Sequence, residues 1–326
     1  MNVLITGAGG FIGRHLVSDQ LGRGRRVTAL DLNLEALAPL AGHKRLELVA
    51  ADFTAAGQTA YLAGQDVCFH LASAHLERGL SEAFFQRVNV DGTRAFVERC
   101  QRAGVGRFVH CSSVGVYGDL KRPPADEDSP FGPQNAYERT KLAGEQAVRE
   151  RARQANYDLV VVRPAWVYGP GCPRTARLFR SINRGRFFFI GDGRALRHPI
   201  YVADMAQGFE AAATHPNAAG EHFIIAGPRA VTLLELTAEI ARALGRPAPR
   251  LKVPLALARP AVAALETAGR VSGRPVPFSR RSLKFFTGNT AFVTDKAQRL
   301  LGYQAKTELA DGVQLTGRWL AEAAML

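Results

Sequence analysis

The chain has 326 residues, 47% of them hydrophobic and 22% charged, and its 42 Lys and Arg against 29 Asp and Glu give a formal charge of +13. That is too long for one compact core and too apolar for a disordered chain, so a main domain with a smaller lobe is expected. No run of eighteen apolar residues occurs, and Met1 leads straight into a strand-like run. The expectation is therefore a chain with no leader or spanning helix.

The first strand-like run, Val3-Leu4-Ile5, meets a glycine cluster at Gly7, Gly9, Gly10 and Gly13, and a helical pattern follows from Phe11. That reads as strand, tight turn and helix. Glycine suits such a turn because the backbone must come close to a pyrophosphate, with the positive end of the helix aimed at it. A second strand, Val27–Leu30, ends in Asp31, eighteen residues after Gly13 and near the spacing at which a carboxylate takes the adenosine ribose hydroxyls. A carboxylate there repels a 2′-phosphate, so NAD is expected over NADP, with Arg14 and Arg25 as nearby charges that could blunt the preference. A third strand, Leu46–Ala50, leads to Asp52 and Phe53, placed to flank the adenine. The fourth, Val67–Leu71, runs into Ala72-Ser73, where small residues would face the phosphates. His75 comes next and is either a surface histidine at a strand end or a substrate contact.

Residues 81–103 have helical period and carry Asn89. A fifth strand, Phe108–Ser112, enters S-S-V-G-V-Y-G, and a Pro-rich loop over 118–134 ends at N-A-Y-E-R-T-K, where a long helix begins. Tyr137 and Lys141 lie one turn apart on one face of that helix. A phenol with a pKa near ~10 is a poor base at neutral pH, but a neighbouring cation stabilises its anion. With Ser113 at a strand end to hold a substrate oxygen, Tyr137 could take a hydroxyl proton while a nicotinamide takes the hydride. The four cysteines, Cys68, Cys100, Cys111 and Cys172, have neither metal-ligand nor disulfide spacing. This points to a reducing cytoplasmic compartment and no metal.

The segments T-G-A-G-G-F-I-G, H-L-A, V-N-V-D-G-T, S-S-V-G-V-Y-G, Y-E-R-T-K, R-P-A-W-V-Y-G-P and H-P-I-Y-V-A-D-M-A stand in the order of the extended short-chain dehydrogenase/reductases. The chain resembles the NAD-dependent epimerase/dehydratase family over nearly its whole length. The resemblance implies a doubly wound parallel sheet (Rossmann) over 1–165, with strands also supplied by 198–226. A smaller, discontinuous substrate-binding lobe would occupy most of 166–326. It implies Ser113, Tyr137 and Lys141 as a catalytic triad, with Ser112 the alternative serine. It places Gly7, Gly10, Phe11, Ile12, Gly13, Asp31, Asp52, Phe53, Leu71, Ala72, Asn89, Tyr137, Lys141 and Pro164 around NAD. Dimerisation through the helices at 81–103 and 135–155 is usual in that family.

Departures from the family pattern narrow the reaction. Sugar 4,6-dehydratases carry an Asp-Glu pair directly after the catalytic hydroxyl residue, and nucleotide-sugar decarboxylases need the second acid. Here the two positions are Val114 and Gly115, which leaves 4-epimerases and simple dehydrogenases. Arg197 matches an arginine that binds substrate phosphate, whereas Trp166 stands where sugar-nucleotide members usually have an asparagine. With His75 and Ser113, these two make up the expected substrate contacts.

The rest of the chain reads as a sixth strand, Leu159–Arg163, a seventh, His222–Ala226, and helices over 203–214, 232–244 and 309–320, with Phe285, Phe286 and Phe292 as pocket candidates. The charge excess is local: eleven Arg against three acids from Arg149 to Arg197, and ten basic residues against Glu266 alone from Arg242 to Lys284. A basic field suits an anionic small substrate, a membrane surface or nucleic acid, and no nucleic-acid-binding motif accompanies it. Residues 254–271, rich in Ala and Leu, are expected to pack on their own domain, and Pro260 argues against a membrane role. A nucleotide-sugar 4-epimerase is the leading reading. Its rival is a hydroxysteroid-type dehydrogenase that releases NADH, and a non-catalytic NAD sensor is remote because the triad is intact.

Overall fold

The computed structural model describes residues 1–57, 59–75, 80–272 and 280–326. In chain order the first half holds β1 (Asn2–Thr6), α1 (Phe11–Gly22), β2 (Arg26–Asp31), β3 (Leu46–Ala50), β4 (Val67–His70), α2 (Glu82–Gln86), α3 (Thr93–Arg102), β5 (Arg107–Cys111), α4 (Ala136–Ala155) and β6 (Leu159–Pro164). The second half continues with β7 (Trp166–Tyr168), α5 (Pro173–Asn183), β8 (Phe189–Ile190), β9 (Leu196–Arg197), β10 (Pro199–Tyr201), α6 (Val202–Thr214), β11 (His222–Ile225), β12 (Val231–Thr232) and α7 (Leu233–Ala243). It ends with β13 (Lys252–Val253), α8 (Leu255–Ser272), α9 (Arg280–Thr287), α10 (Asp295–Leu301) and α11 (Leu309–Glu322).

Seven strands form one sheet in the order β11-β6-β5-β4-β1-β2-β3, every neighbouring pair parallel. Such a sheet needs helices on both faces, which is why its strands read as apolar runs rather than alternating ones. Val3 and Ile5 pack on one side with Leu16 and Val17 of α1 and Met205 and Phe209 of α6. Leu4 packs on the other with Phe96 and Val97 of α3 and Val148 of α4. The strand order reverses between β1 and β4, and a crevice for a ligand opens at the carboxyl ends of those two strands.

The helix expected over 81–103 runs from Glu82 to Arg102 with its winding widened in the middle. α2 passes into a wide π turn over Arg87–Gly92 before α3 begins, and Asn89 lies in that turn. Helix α4 has strong ends: the Asn135 side chain accepts from the Glu138 N–H at 3.0 Å, and Asn156 closes the helix in the left-handed conformation.

The second half is not a separate unit. β10 pairs with β7, α6 covers the main sheet, and β11 supplies its seventh strand. The lobe has its own core, in which Phe179, Phe189, Leu236, Ile240 and Val313 are buried together. The chain thus crosses between lobe and sheet more than once, and residue 165 marks no clean boundary.

Candidate active site

The turn between β1 and α1 is packed to the limit. Gly7 has φ +69°, and a Cβ there would lie 2.6 Å from the Ala72 nitrogen. A Cβ on Gly13 would lie 2.0 Å from the Gly7 carbonyl oxygen, so no larger residue fits without opening the turn. Gly10 begins the helix, and Phe11 and Ile12 are half-buried against the core beneath it. Asp31, at the end of β2, accepts from the Gly9 N–H at 2.9 Å and from the Asn33 N–H at 3.2 Å. Its carboxylate is therefore held at the rim of the turn.

On the adenine side, Asp52 caps Thr54 through the backbone N–H at 2.8 Å and the hydroxyl at 2.7 Å, and Phe53 is buried edge-on against His70 and Phe96. Leu71 and Ala72 follow β4, with the Ala72 N–H donating to Thr6 Oγ1 at 3.2 Å. Asn89 makes three contacts. Its side chain accepts from the Ala74 N–H at 2.7 Å, donates to the Ala74 carbonyl at 3.2 Å and reaches Thr140 Oγ1 at 3.1 Å. The π turn thus straps the loop after β4 to α4, one residue from Lys141, and such turns recur at functional sites. A glycine cradle at a helix N-terminus, a carboxylate at the end of β2 and small residues after β4 together fit a dinucleotide.

Ser113, Tyr137 and Lys141 meet at the carboxyl end of β5. Ser113 Oγ accepts from the Gly115 N–H at 3.0 Å and is hydrogen-bonded to the Tyr137 hydroxyl. Burial pushes the phenol up to about 12, with the nearby Arg174 guanidinium and the Ser113 hydroxyl opposing that rise. Lys141 is buried and donates from Nζ to the Cys111 carbonyl at 2.6 Å. Burial draws its pKa below the ordinary lysine value. Arg174 at the start of α5 adds positive charge that favours the phenolate, while Lys141 is held on the Cys111 carbonyl. His75 stands against the ring of Tyr137 with centroids 5.2 Å apart. Ser112 is turned away, buried, and donates to Glu145 Oε2 at 2.6 Å.

That last bond belongs to a network which the sequence reading missed. Arg163 is fully buried on β6, and its Nε lies 3.1 Å from Glu145 Oε2. Its other nitrogens reach the Tyr117 hydroxyl and, at 3.2 Å, the Glu127 carbonyl. Glu127 Oε1 in turn accepts from the Ile224 N–H of β11 at 2.8 Å. Burial pushes the Glu145 carboxyl up, but the guanidinium outweighs it and holds the group below its usual range. A charge inside V-V-V-R-P, otherwise a buried strand, was the available signal, because it demands a buried partner. A second missed contact joins the cofactor turn to the lobe: Arg14 Nη2 donates to the Gly171 carbonyl at 2.7 Å, and His15 Nε2 lies 2.9 Å from the Pro170 carbonyl.

The expected substrate contacts divide. Trp166 is half-buried, 6.5 Å from Phe285 and 6.4 Å from Tyr168 between ring centroids, and forms an aromatic wall. Phe286 packs in the same lobe core, but Phe292 lies instead against Tyr117 and His198 in the core beside the sheet. Arg197 is buried, and its guanidinium donates to the carbonyls of Leu196, Lys284, Phe285 and Gly288 around the end of α9. Burial lowers its pKa to about 10. Pro164, the last residue of β6, sits behind the cleft.

Comparison with known proteins agrees with this architecture. The model of the NAD dependent epimerase/dehydratase family matches residues 3–226. A UDP-glucose 4-epimerase of Mycolicibacterium smegmatis is 34% identical over 263 residues, covering 76% of this chain and 84% of that protein. A dTDP-glucose 4,6-dehydratase of Streptomyces griseus is 31% identical, covering 98% of this chain and 93% of its own length. The solved structure of MoeE5 in complex with UDP-glucuronic acid and NAD is 28% identical with a TM-score of 0.78, covering 99% of this chain and all of that one.

Proposed function

Because the chain belongs to the NAD-dependent epimerase/dehydratase family, as an enzyme of the extended short-chain dehydrogenase/reductase type using NAD, we propose that it epimerises a nucleotide-sugar at a secondary alcohol, the 4-hydroxyl being the leading position. The observation that carries this reading is the meeting of Ser113, Tyr137 and Lys141 at the end of β5 with no acid at Val114 or Gly115. Gly115 has no side chain to give a proton for dehydration, and a Cβ there would lie 3.2 Å from both Ser113 Oγ and Glu138 Cγ. The dehydratase activity of the Streptomyces griseus relative is accordingly not carried over.

In this reading Ser113 holds the substrate oxygen and Tyr137 takes its proton, returning it when the opposite face is reduced. NAD, when bound, accepts and gives back the hydride. Lys141 and Arg174 bring positive charge to the side of the phenol that must become an anion. A homodimer through α3 and α4 is part of the reading, with sedimentation as its test.

One observation favours a dehydrogenase on an apolar alcohol instead: Trp166 and Phe285 line the lobe side with aromatic surface while Arg197 is spent on carbonyls. Nucleotide released from the purified, denatured protein separates the two. Stoichiometric NAD means a cofactor recycled within each turnover and supports the epimerase, and UDP- and dTDP-sugars are then assayed. Protein without nucleotide that takes up NADH supports the dehydrogenase. Tyr137→Phe should lower kcat by about 10²–10⁴ with NAD affinity retained, and undiminished turnover would remove Tyr137 as the base.

A further inference from the structure

A helix on a soluble lobe normally turns its apolar stripe inward and its charges outward. α8 (Leu255–Ser272) turns only part of its apolar surface inward. Among its described residues only Ala258 and Val262 are buried in the lobe core. Beside them, over a sector of about 140° of the helix surface, Leu257, Pro260, Ala261, Ala264, Leu265 and Ala268 are all exposed, Leu257 at 64% and Leu265 at 40%. The exposed hydroxyls of Thr267 and Ser272 donate to the Ala263 carbonyl at 3.0 Å and the Ala268 carbonyl at 2.7 Å. Each residue advances about 100° around a helix, which puts Arg259 and Glu266 roughly half a turn away from Leu257. The exposed apolar sector therefore carries no charge from Leu257 to Ala268. The expectation that this segment packs on its own domain holds only for its inner edge.

The rim of the face is cationic. Leu251, 65% exposed, precedes the helix between exposed Arg250 and Lys252, and Arg259 is exposed on the flank. None of these three cations makes an ion pair among the described residues. From Arg242 to Lys284 the sequence holds ten basic residues and one acid. A second copy laid on this face would bring two cationic rims together, which like-charge repulsion opposes. An anionic bilayer supplies both partners the face lacks, an apolar layer for the leucines and negative headgroups for the rim.

We propose that α8 docks this protein on an anionic membrane surface, lying in the headgroup layer with Leu257 and Leu265 inserted. The helix does not cross the bilayer: no described helix is long and apolar enough to span one. The inference is independent of the reaction catalysed.

The test is flotation of the full-length protein with phosphatidylcholine vesicles, with and without phosphatidylglycerol, at low and high salt. The wild type should float with the phosphatidylglycerol vesicles alone, less so at high salt. The double variant Leu257→Glu/Leu265→Glu should bind them at least about tenfold more weakly while keeping its melting temperature, because both side chains are exposed. Arg250→Glu/Lys252→Glu should weaken binding in the same direction. Failure of the wild type to float at low salt overturns the proposal. So does equal binding by the leucine double variant, or a lipid-free dimer that the same double variant splits into monomers, since a second copy would then cover the face.

Discussion

Glu145 and Arg163 offer the sharpest test of how the site is held. Both side chains are almost wholly buried, 1% and 0% exposed, and Glu145 also accepts from Ser112, the neighbour of Ser113. Glu145→Gln keeps the shape but leaves the Arg163 guanidinium without its counter-charge. Removing one partner of a buried pair costs ~3–5 kcal/mol, because the remaining charge has lost its water and gained nothing in return. At about 2.1 cal/mol/K of unfolding entropy per residue, a chain of 326 residues loses about 1.5 °C per kcal/mol. A fall in Tm of about 5–7 °C is therefore expected. Replacing both partners, Glu145→Gln with Arg163→Met, removes the orphan charge, so the double variant should lose less stability than the two single variants combined additively. Urea unfolding of the four proteins gives the coupling energy directly. A cost below about 1 kcal/mol for Glu145→Gln, or strictly additive losses, would refute the view that this pair is a desolvated unit. Turnover should fall along with stability, because the end of β5 loses the bond that fixes Ser112 beside the reacting serine.

Gly13→Ala would place a Cβ 2.0 Å from the Gly7 carbonyl oxygen, so NAD binding measured by calorimetry should be lost or fall by at least tenfold (~1.4 kcal/mol), and wild-type affinity would contradict the close turn. Asp31→Ala should relax the preference for NAD over NADP, and an unchanged ratio of the two kcat/KM values would take Asp31 off the ribose. Acid should destabilise the fold through His70. Burial, with Lys141 and Arg99 adding repulsion, pulls this imidazole down to about 3, so it is neutral when folded and takes a proton on unfolding. Its contribution is whole above the unfolded pKa of about 6.5 and is lost as pH falls towards the folded value. About 2 kcal/mol should be gone by pH 5. His70→Asn should flatten the fall between pH 7 and pH 5 in urea titrations, and an equally steep fall would mean that another group controls it.

Much of the sheet was legible because its signals are local. Seven apolar runs mark its strands, and the run over 46–50 has the same ends as β3. The glycine spacing and the i, i+4 pair Tyr137 and Lys141 mark the two turns of chain that bear the cleft, because both depend on contacts within a few residues. The π turn in the helix around Asn89 was not legible. It exists because the Asn89 side chain binds Ala74 and Thr140, residues distant in sequence that meet only once the sheet is assembled.

The same division runs through the charges. The sequence by itself determined that a cation would stand near Tyr137, since Lys141 follows one turn later. Tertiary structure alone turned Lys141 onto the Cys111 carbonyl and added the positive field of Arg174 to the surroundings of the phenol. An arginine that reads as a phosphate ligand, Arg197, became the clamp on the end of α9 because four carbonyls converge on it there. Composition shows that the 254–271 segment is apolar and basic, but not which side of its helix meets the lobe. The packing of Ala258 and Val262 against the core decided that, and left the leucines in solvent. Local propensity and periodicity are written in neighbouring residues. The partner of a long charged side chain, or of one helix face, is chosen among groups far apart in the chain, and only the folded arrangement selects it.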